Sequence, residues 1–165
     1  MAIDRDWILS TVARYERPLL AYVGRLLGDP DRSRDVVQDA FLQLCKQPRE
    51  KLDGRVAPWL YAVCRRRAID ILRKEKRMTA TETMREPLAR GMEPSQFVEL
   101  QDTTRLLLAH LADLPANENE VVRLRFHDQF SYREIAEVTG LSESHVGVLL
   151  HQALKKLRKN LNQLA

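Results

Sequence analysis

The amino-acid sequence predicts an all-α protein with two small helical domains joined by a flexible linker. Apolar residues recur at steps of three and four along most of its 165 residues, whereas alternating β-branched runs do not occur. Hydrophobic residues make up 44% of the chain and charged residues 30%, a balance typical of folded, helix-rich proteins. We place the domains at residues 1–78 and 99–165 and the linker at residues 79–98.

Three helices are expected in the N-terminal domain. The first spans residues 6–27, and Pro18 within it predicts either a kink or a break near Arg17. A turn separates this helix from a second one at about residues 33–46. The third covers about residues 58–77 and opens with a proline, which the first turn of a helix tolerates.

The segment at residues 79–98 differs in composition, because Thr, Glu, Pro and Gly replace the apolar periodicity. Such a segment is expected to be a mobile linker. Met84, Leu88 and Met92 recur at every fourth residue, so a transient helix or a docking segment is the alternative.

Four helices are expected in the C-terminal domain, the first at about residues 99–113. The capping-box spacing of Asn117–Glu120 predicts the start of the second helix. Ser131 and Glu134 repeat this pattern before a short third helix, which Gly140 would end in the left-handed conformation.

The last two helices have the form of a helix-turn-helix. Phe130 and Ile135 can form a hydrophobic staple at the start of the short helix, and Ser142 can cap the long helix that follows the turn. The long helix should bury one apolar stripe, formed by Val146, Leu150, Ala153, Leu154, Leu157 and Leu161. A short helix, a glycine-containing turn and a longer helix with a basic end indicate DNA binding. A plain helical hairpin within a bundle is the alternative.

The sharpest concentration of charge lies in the third helix. Arg65–Arg77 contains seven Lys or Arg residues against two acidic ones, and it directly follows the aromatic-apolar stretch Trp59–Val63. Lysine and arginine neutralise phosphates, and aromatic faces stack on unpaired bases. This helix is therefore expected to bind single-stranded nucleic acid.

The sequence also argues against several other classes of protein. It has no HExxH, CxxC or glycine-rich phosphate-binding motif, so we predict no enzyme, no cofactor and no metal site. Cys45 and Cys64 each lie within an apolar helical pattern and indicate free thiols in a reducing compartment. No apolar run has the length of a signal peptide or a membrane span, which favours the cytoplasm.

Six segments follow one another in a fixed order. In the N-terminal domain they are Asp35–Phe41, Trp59–Val63 and Arg67–Arg73, and in the C-terminal domain they are Leu114–Pro115, Val122–Phe126 and Ser131–Ala136. Together, and in this order, they resemble the extracytoplasmic-function group of bacterial RNA polymerase sigma factors. The resemblance covers about residues 10–77 and 103–162. It implies an alternative-sigma-type transcription initiation factor that binds core RNA polymerase, directs it to specific promoters and opens the −10 region.

The resemblance implies a polymerase-binding surface on the second helix. Its residues would be Asp35, Gln38, Asp39 and Leu42. Apolar residues between them should face the core, which leaves an acidic and polar face with one exposed leucine. Such a face suits a basic helical partner, and an ordinary solvated helix face is the alternative.

For the third helix the resemblance implies recognition and melting of the −10 element, with one base flipped out of the stack. The contacts would come from Trp59, Tyr61, Arg66, Arg67, Arg73, Lys74 and Arg77. Trp59 and Tyr61 are the candidates for stacking on this base. The alternative is that one of these two aromatic residues belongs to the core.

The helix-turn-helix would bind the duplex −35 element. The residues expected there are Arg133, Ser142, Ser144, His145, Leu149, Gln152, Lys155 and Lys156. Family members often read Gly-Thr-Val-Lys-Ser-Arg-Leu-His-Arg-Ala in the recognition helix, whereas this chain reads Ser-His-Val-Gly-Val-Leu-Leu-His-Gln-Ala over residues 144–153. The missing basic side chains predict an unusual −35 preference, weaker DNA binding or an apolar patch used by a partner, and we favour the first.

Two further expectations concern partners. An anti-sigma protein commonly holds such factors inactive, so the resemblance makes one a candidate partner. The competing hypothesis is a helix-turn-helix transcriptional regulator that acts without core polymerase. That hypothesis explains residues 103–162 but gives no role to the basic-aromatic helix or to Gln38.

Overall fold

The computed structural model describes residues 3–78 and 102–163, and over these ranges the chain is built from α-helices and one short 3-10 helix. The helices are α1 Arg5–Leu27, α2 Pro30–Cys45, α3 Val56–Met78, α4 Asp102–Ala112, α5 Ala116–Phe126, α6 Tyr132–Thr139 and α7 Glu143–Asn162, and the 3-10 helix is Arg49–Leu52. The predicted all-α class is therefore confirmed for the described residues. The predicted linker at residues 79–98, and the start of the helix predicted from residue 99, lie outside these ranges.

The helices form two compact units, α1 to α3 in the first and α4 to α7 in the second. In the first unit α1, α2 and α3 each pack against the other two. Its most deeply buried side chains include Leu19, Val23, Val36, Ala40, Leu44, Leu60 and Ala68. Tyr22 and Tyr61 are also buried, and their ring centroids lie 5.0 Å apart with an angle of 41° between the ring planes. This aromatic pair joins α1 to α3.

The first helix continues through Pro18, so the break that the sequence offered as one outcome near Arg17 does not occur. Proline removes one backbone donor and its ring crowds the carbonyl one turn earlier, yet neither effect ends the helix here. Leu19 and Tyr22, on the following turn, are buried in the core, and this packing stabilises the helix beyond the proline. Gly28 then ends α1 with a left-handed φ of 66°.

The second helix begins earlier than the sequence predicts, at Pro30 rather than near Ser33. The Asp29 carboxylate caps it by accepting hydrogen bonds from the backbone N–H groups of Asp31 and Arg32, at 3.0 and 3.3 Å. Pro30 costs no hydrogen bond here, because the N–H groups of a first turn have no partner within the helix. The cap and the proline together fix this start.

In the second unit α7 is the central helix, and it packs against α4, α5 and α6. Its core includes Val121, Leu124, Ile135, Val146, Leu150 and Ala153. The capping box predicted at Asn117–Glu120 is wrong, because α5 begins at Ala116 directly after Pro115. Asn119 is instead buried within α5, where its side-chain amide donates a hydrogen bond to the Leu111 carbonyl.

The predicted helix-turn-helix is confirmed, and its capping residues act as the sequence indicates. Ser131 Oγ accepts from the Glu134 N–H at 3.1 Å, and Glu134 Oε1 accepts from the Ser131 N–H at 3.0 Å. Gly140 ends α6 with a φ of 77°. Ser142 Oγ then accepts from the His145 N–H at 3.1 Å and caps α7. These bonds satisfy backbone groups that the helix ends leave open.

The buried side of α7 differs from the predicted stripe. Leu149 is only 4% exposed and belongs to the core, whereas Leu154 and Leu161 are exposed. Leu149 follows Val146 by three residues and precedes Ala153 by four, so it shares their side of the helix. Leu154 is turned about 100° away from Ala153, which brings it to the edge of the packed side.

Candidate nucleic-acid interfaces

The second helix presents a polar face to solvent. Asp35, Gln38, Asp39 and Leu42 are all exposed, and we call these four residues the α2 face. The opposite side is formed by the buried residues Val36, Val37, Ala40 and Leu44 and the half-buried Phe41. Steps of three and four residues bring the four exposed positions to one side of the helix. The predicted orientation of α2 is confirmed, while the partner of its face stays a prediction.

The α2 face is connected to α3 by an ion pair. Arg67 Nε lies 3.9 Å from Asp39 Oδ2, and both side chains are about half exposed. A second ion pair between the same helices joins Arg32 to Glu75. Exposed pairs of this kind contribute at most about 1 kcal/mol each. The structure thus brings together Asp39 and Arg67, which the sequence pattern assigns to separate binding surfaces.

The two aromatic residues of α3 lie on different sides of the helix. Tyr61 is only 2% exposed and packs against Tyr22, so the prediction that Tyr61 contacts −10 DNA is wrong. Two positions along a helix correspond to a rotation of about 200°, and this rotation turns Tyr61 into the core. Trp59 is only half-buried. Trp59 is therefore the remaining aromatic candidate on this helix.

The predicted DNA-binding residues of α3 follow its axis. Trp59, Arg66 and Arg73 are spaced by seven residues, close to two helical turns, and Arg77 follows four residues later. These four residues lie along one side of the helix, and we call them the α3 line. Its three arginines are exposed. An aromatic surface and a row of cations are thereby aligned in one direction.

Other charged residues flank the α3 line. Arg67 and Lys74 are exposed on one flank, about 80–100° around the helix from Arg66. Asp70, between the line and this flank, is exposed and interrupts the positive charge. Lys76 is exposed on the opposite flank. The predicted basic residues therefore share about one third of the helix circumference, and Lys76 lies outside that third.

In the second unit, most residues predicted for duplex binding are exposed. They are Arg133, Ser142, Ser144, His145, Gln152, Lys155 and Lys156. Leu149 is the exception, and its prediction as a DNA contact is wrong because its side chain lies in the core. The side of α7 opposite the core carries Ser144, Val148, His151 and Lys155, which lie within about 60° of one another. We call these four residues the α7 face.

The two lysines of the predicted basic end have different surroundings. The Lys156 ammonium group is directed toward α5, where it forms an ion pair with the Glu118 carboxylate. Lys155 lies on the α7 face and is exposed. Of the two, Lys155 is therefore better placed to contact a phosphate.

Both units match known protein families. The model for sigma-70 region 2 matches residues 11–78, and the model for sigma-70 region 4 matches residues 110–159. The ECF RNA polymerase sigma factor SigL of Mycobacterium tuberculosis is 31% identical, over 88% of this chain and 84% of SigL. The chain belongs to the extracytoplasmic-function group of sigma-70 factors. As a sigma factor it is a transcription initiation factor, which binds core RNA polymerase and directs it to promoter DNA.

Other sigma factors show the same relationship. SigV of Bacillus subtilis is 32% identical over 81% of this chain and 78% of SigV, and YlaC of Bacillus subtilis is 27% identical over 96% of this chain and 94% of YlaC. The fold is similar to that of the sigma factor RpoE, in its solved complex with the anti-sigma factor NepR from Bartonella quintana. That comparison has a TM-score of 0.63 and 20% identity, and covers 93% of this chain and 95% of that chain.

The exposed residues of the region 4 unit that were not predicted as contacts include Tyr132 and Val148. The Tyr132 ring lies beside Gly147, 3.6 Å from the position that a Cβ atom there would take, and Arg125 Cζ lies 5.3 Å from the ring centroid. The capping box at Ser131 is the signal that could have identified Tyr132, since it puts this residue at the exposed start of α6.

The described part of the sigma factor contains no group of three or more His, Cys, Asp or Glu residues that could hold a metal ion. Cys45 and Cys64 are free thiols in the structure. Burial raises the pKa of Cys64 to about 12, so this thiol stays protonated at neutral pH. None of the helices in the described ranges is long and apolar enough to cross a membrane.

Proposed function

We propose that the sigma factor recognises promoters through three separate surfaces. The α2 face binds core RNA polymerase, the α3 line holds the non-template strand of the opened −10 element, and α6 and α7 bind the −35 duplex. One observation carries the proposal. Trp59 lies in line with Arg66 and Arg73, so a stacking surface and phosphate-binding groups follow one strand. The proposed domain limits are residues 1–78 and 99–165.

The α2 face suits a helical partner that carries positive charge. Leu42 is a large exposed apolar side chain, and Asp35 and Asp39 lie on the same side of the helix. In a protein interface a central apolar contact supplies binding energy, and surrounding charges orient the partner and speed its association. Asp39 already has a weak partner in Arg67. We infer that a stronger cation on the polymerase displaces Arg67 and leaves it available for DNA.

The α3 line suits a strand that has left the duplex. Arg66, Arg73 and Arg77 can neutralise phosphates along that strand, and the Trp59 ring can stack on an unpaired base. Because only an unpaired base can reach this ring, the contact stabilises the open promoter relative to the closed one. Tyr61 supports the arrangement from the core, since its packing against Tyr22 fixes the rotation of α3.

The helix-turn-helix suits a duplex major groove. A recognition helix enters this groove with its N-terminal half toward the base edges, which places Ser144 and Val148 nearest to the bases. Lys155 lies further along the same face and is proposed to contact a phosphate. Lys156 is assigned a smaller part in DNA binding than the sequence suggests, because Glu118 holds it.

The competing hypothesis, a helix-turn-helix regulator that acts without polymerase, does not fit a member of this sigma factor group. It accounts for α6 and α7, but it leaves the region 2 match and the α2 face without a role. We also infer that the sigma factor acts in the cytoplasm and binds its targets without catalysing a reaction. An anti-sigma protein is a further proposed partner, since the sigma factor RpoE forms such a complex.

Promoter opening by the assembled holoenzyme tests the proposal. The full chain is combined with core RNA polymerase, and permanganate reactivity of −10 thymines is followed on a promoter mapped after overexpression. We expect Trp59→Ala to reduce the opening equilibrium by about tenfold, because each base–aromatic stack is worth about 1–3 kcal/mol. Arg73→Ala should weaken opening in a salt-dependent manner.

The matched control is Lys76→Ala, which removes an exposed cation from the same helix on the other flank. We expect this variant to open the promoter like the unmodified protein. All three variants should bind core polymerase equally in a pull-down. Equal losses of promoter opening from Lys76→Ala and Arg73→Ala would show that the charge of α3 matters and the position of each cation does not. Failure of the unmodified chain to bind core polymerase would overturn the proposed role of the α2 face.

A further inference from the structure

The α7 face has an apolar residue at its centre. Val148 is 52% exposed, while Val146 and Ala153, on the other side of the helix, are fully buried. Ser144 precedes Val148 by one helical turn and Lys155 follows it by two. Val148 therefore lies on the side of α7 opposite the core, between a polar residue and a cation.

The side chain of Val148 restricts what it can recognise. Valine has no hydrogen-bond donor or acceptor, and in a helix its χ1 angle is almost always held in one rotamer. Base edges in the major groove present donors and acceptors, and only thymine adds an apolar group, its C5-methyl. A rigid branched apolar side chain at this position is therefore complementary to a thymine and to no other base.

Neighbouring residues orient this side chain toward a duplex. Lys155 lies on the same face and can contact a phosphate, and Gln152 on its flank can hydrogen-bond a base edge. The exposed ring of Tyr132 lies beside Gly147 and extends the apolar surface on the other flank. A cation, an amide and an apolar centre on one helix face match the chemistry of a thymine-containing major groove.

We propose that Val148 contacts the C5-methyl group of a thymine in the −35 element and that this contact determines base preference at that position. The inference rests on the proposed function of α6 and α7 as the −35-binding unit. It gives the recognition helix a direct means of reading sequence although it lacks arginine and lysine in its N-terminal half.

Replacement of thymine by deoxyuridine tests the proposal at the level of one methyl group. Holoenzyme assembled from the full chain first selects promoters from a duplex library with a randomised −35 region. Each thymine of a selected element, on either strand, is then replaced singly by deoxyuridine, which removes the methyl group and keeps every hydrogen-bonding group. Holoenzyme binding to each duplex is measured by fluorescence anisotropy.

We expect one deoxyuridine substitution to weaken binding by about fourfold, the effect of exposing one buried methyl-sized group. In Val148→Ala holoenzyme, binding to the thymine duplex should fall similarly and the same substitution should have no further effect. Leu161→Ala, which removes an exposed apolar side chain elsewhere on α7, is the control and should keep the fourfold difference. Both variants introduce alanine, the residue with the highest helix propensity, so folding should be preserved.

The outcomes distinguish a failure of the methyl contact from a failure of the proposed function. If the holoenzyme selects no promoter, the proposed function and this inference are both overturned. If it selects an element without thymine, or if deoxyuridine has no effect at any position, the methyl contact is overturned and the proposed function stands. A deoxyuridine effect of equal size in the Val148→Ala holoenzyme would assign the methyl contact to a different residue and would also overturn the proposal.

Discussion

Lys156 Nζ lies 2.9 Å from Glu118 Oε1 and 3.1 Å from Glu118 Oε2, and so connects α7 to α5 within the region 4 unit. Glu118 is buried, whereas Lys156 is about half exposed. A buried carboxylate without a partner is costly, because burial removes its hydration. A lysine that the sequence assigns to DNA is thereby part of the structure that supports the recognition helix.

The first prediction separates the two adjacent lysines. Lys156→Ala should destabilise the region 4 unit by about 1–3 kcal/mol, because it leaves Glu118 buried and unpaired. Lys155→Ala should change stability by less than about 0.5 kcal/mol and weaken duplex binding instead. Hydrogen exchange of α5 and α7 amides in the full chain measures the first effect, and the salt dependence of DNA binding measures the second. Equal stability of the two variants would contradict the structural role of Lys156.

The second prediction concerns the α2 face. Leu42→Ala should weaken binding to core polymerase by about tenfold, since burying a leucine in an interface is worth about 1.5–3 kcal/mol. Leu9→Ala is a matched control, because Leu9 on α1 is 56% exposed and Leu42 is 61% exposed. Neither variant should lose measurable stability. Surface plasmon resonance on immobilised core enzyme gives the two affinities. Equal losses of affinity in the two variants would contradict a role of the α2 face in the interface.

The third prediction distinguishes the two aromatic residues of α3. Tyr61→Ala should lower the free energy of unfolding of the N-terminal unit by about 3–5 kcal/mol, because it empties a packed site beside Tyr22. Trp59→Ala should cost less, since its side chain is only half-buried. Urea unfolding followed by circular dichroism compares the variants. A larger loss from Trp59→Ala would show that Trp59 is the main core residue.

The fourth prediction uses two residues with left-handed backbone. Gln129 has a φ of 61° and Gly140 a φ of 77°. Gln129→Gly should stabilise the region 4 unit by about 0.5–1 kcal/mol, because glycine adopts this conformation without steric cost. Gly140→Ala should destabilise it by about 1 kcal/mol, mainly through the backbone conformation, because no atom outside the adjacent residues lies within 4 Å of the added Cβ. In thermal unfolding, the midpoint temperature should therefore rise for Gln129→Gly and fall for Gly140→Ala.

The fifth prediction is a pH dependence from Cys64. Burial raises the pKa of its thiol from 9.0 to about 12 in the folded protein. The unfolded chain therefore releases this proton at lower pH than the folded chain. The contribution of the Cys64 thiol to the free energy of unfolding is therefore fully present below about pH 9 and falls as the pH rises toward 12. Cys64→Ala should flatten the decline in urea midpoint between pH 8 and about 11, and Cys64 should react with iodoacetamide more slowly than the half-buried Cys45.

Sequence signals for helix ends were reliable where one residue determines one capping interaction. The Ser131 capping box, the Gly140 stop and the Ser142 cap depend on side chains next to the helix ends, and the structure contains each of them. The same reasoning was wrong at Asn117–Glu120. There Pro115 directly precedes the first residue of the helix. Glu118 pairs with Lys156 and Asn119 bonds the Leu111 carbonyl, so both side chains serve tertiary contacts.

Periodicity was less reliable for choosing the buried side of a helix. Adjacent apolar residues such as Leu149 and Leu150 are compatible with more than one choice of buried side. The spacing alone therefore could not show that both belong to the core. Trp59 and Tyr61 are equally aromatic, and only the packing of Tyr61 on Tyr22 shows which one faces the core. Such choices depend on neighbouring helices that are distant in sequence.

The α3 line also limits how much DNA one helix can hold. From Trp59 to Arg77 it extends about 27 Å at a rise of about 1.5 Å per residue. A strand that rises about 3.4 Å per nucleotide along its axis could place about eight nucleotides along that length, and a stretched strand fewer. In the proposed role of α3, the number of unpaired nucleotides that this helix can contact is therefore bounded by its length.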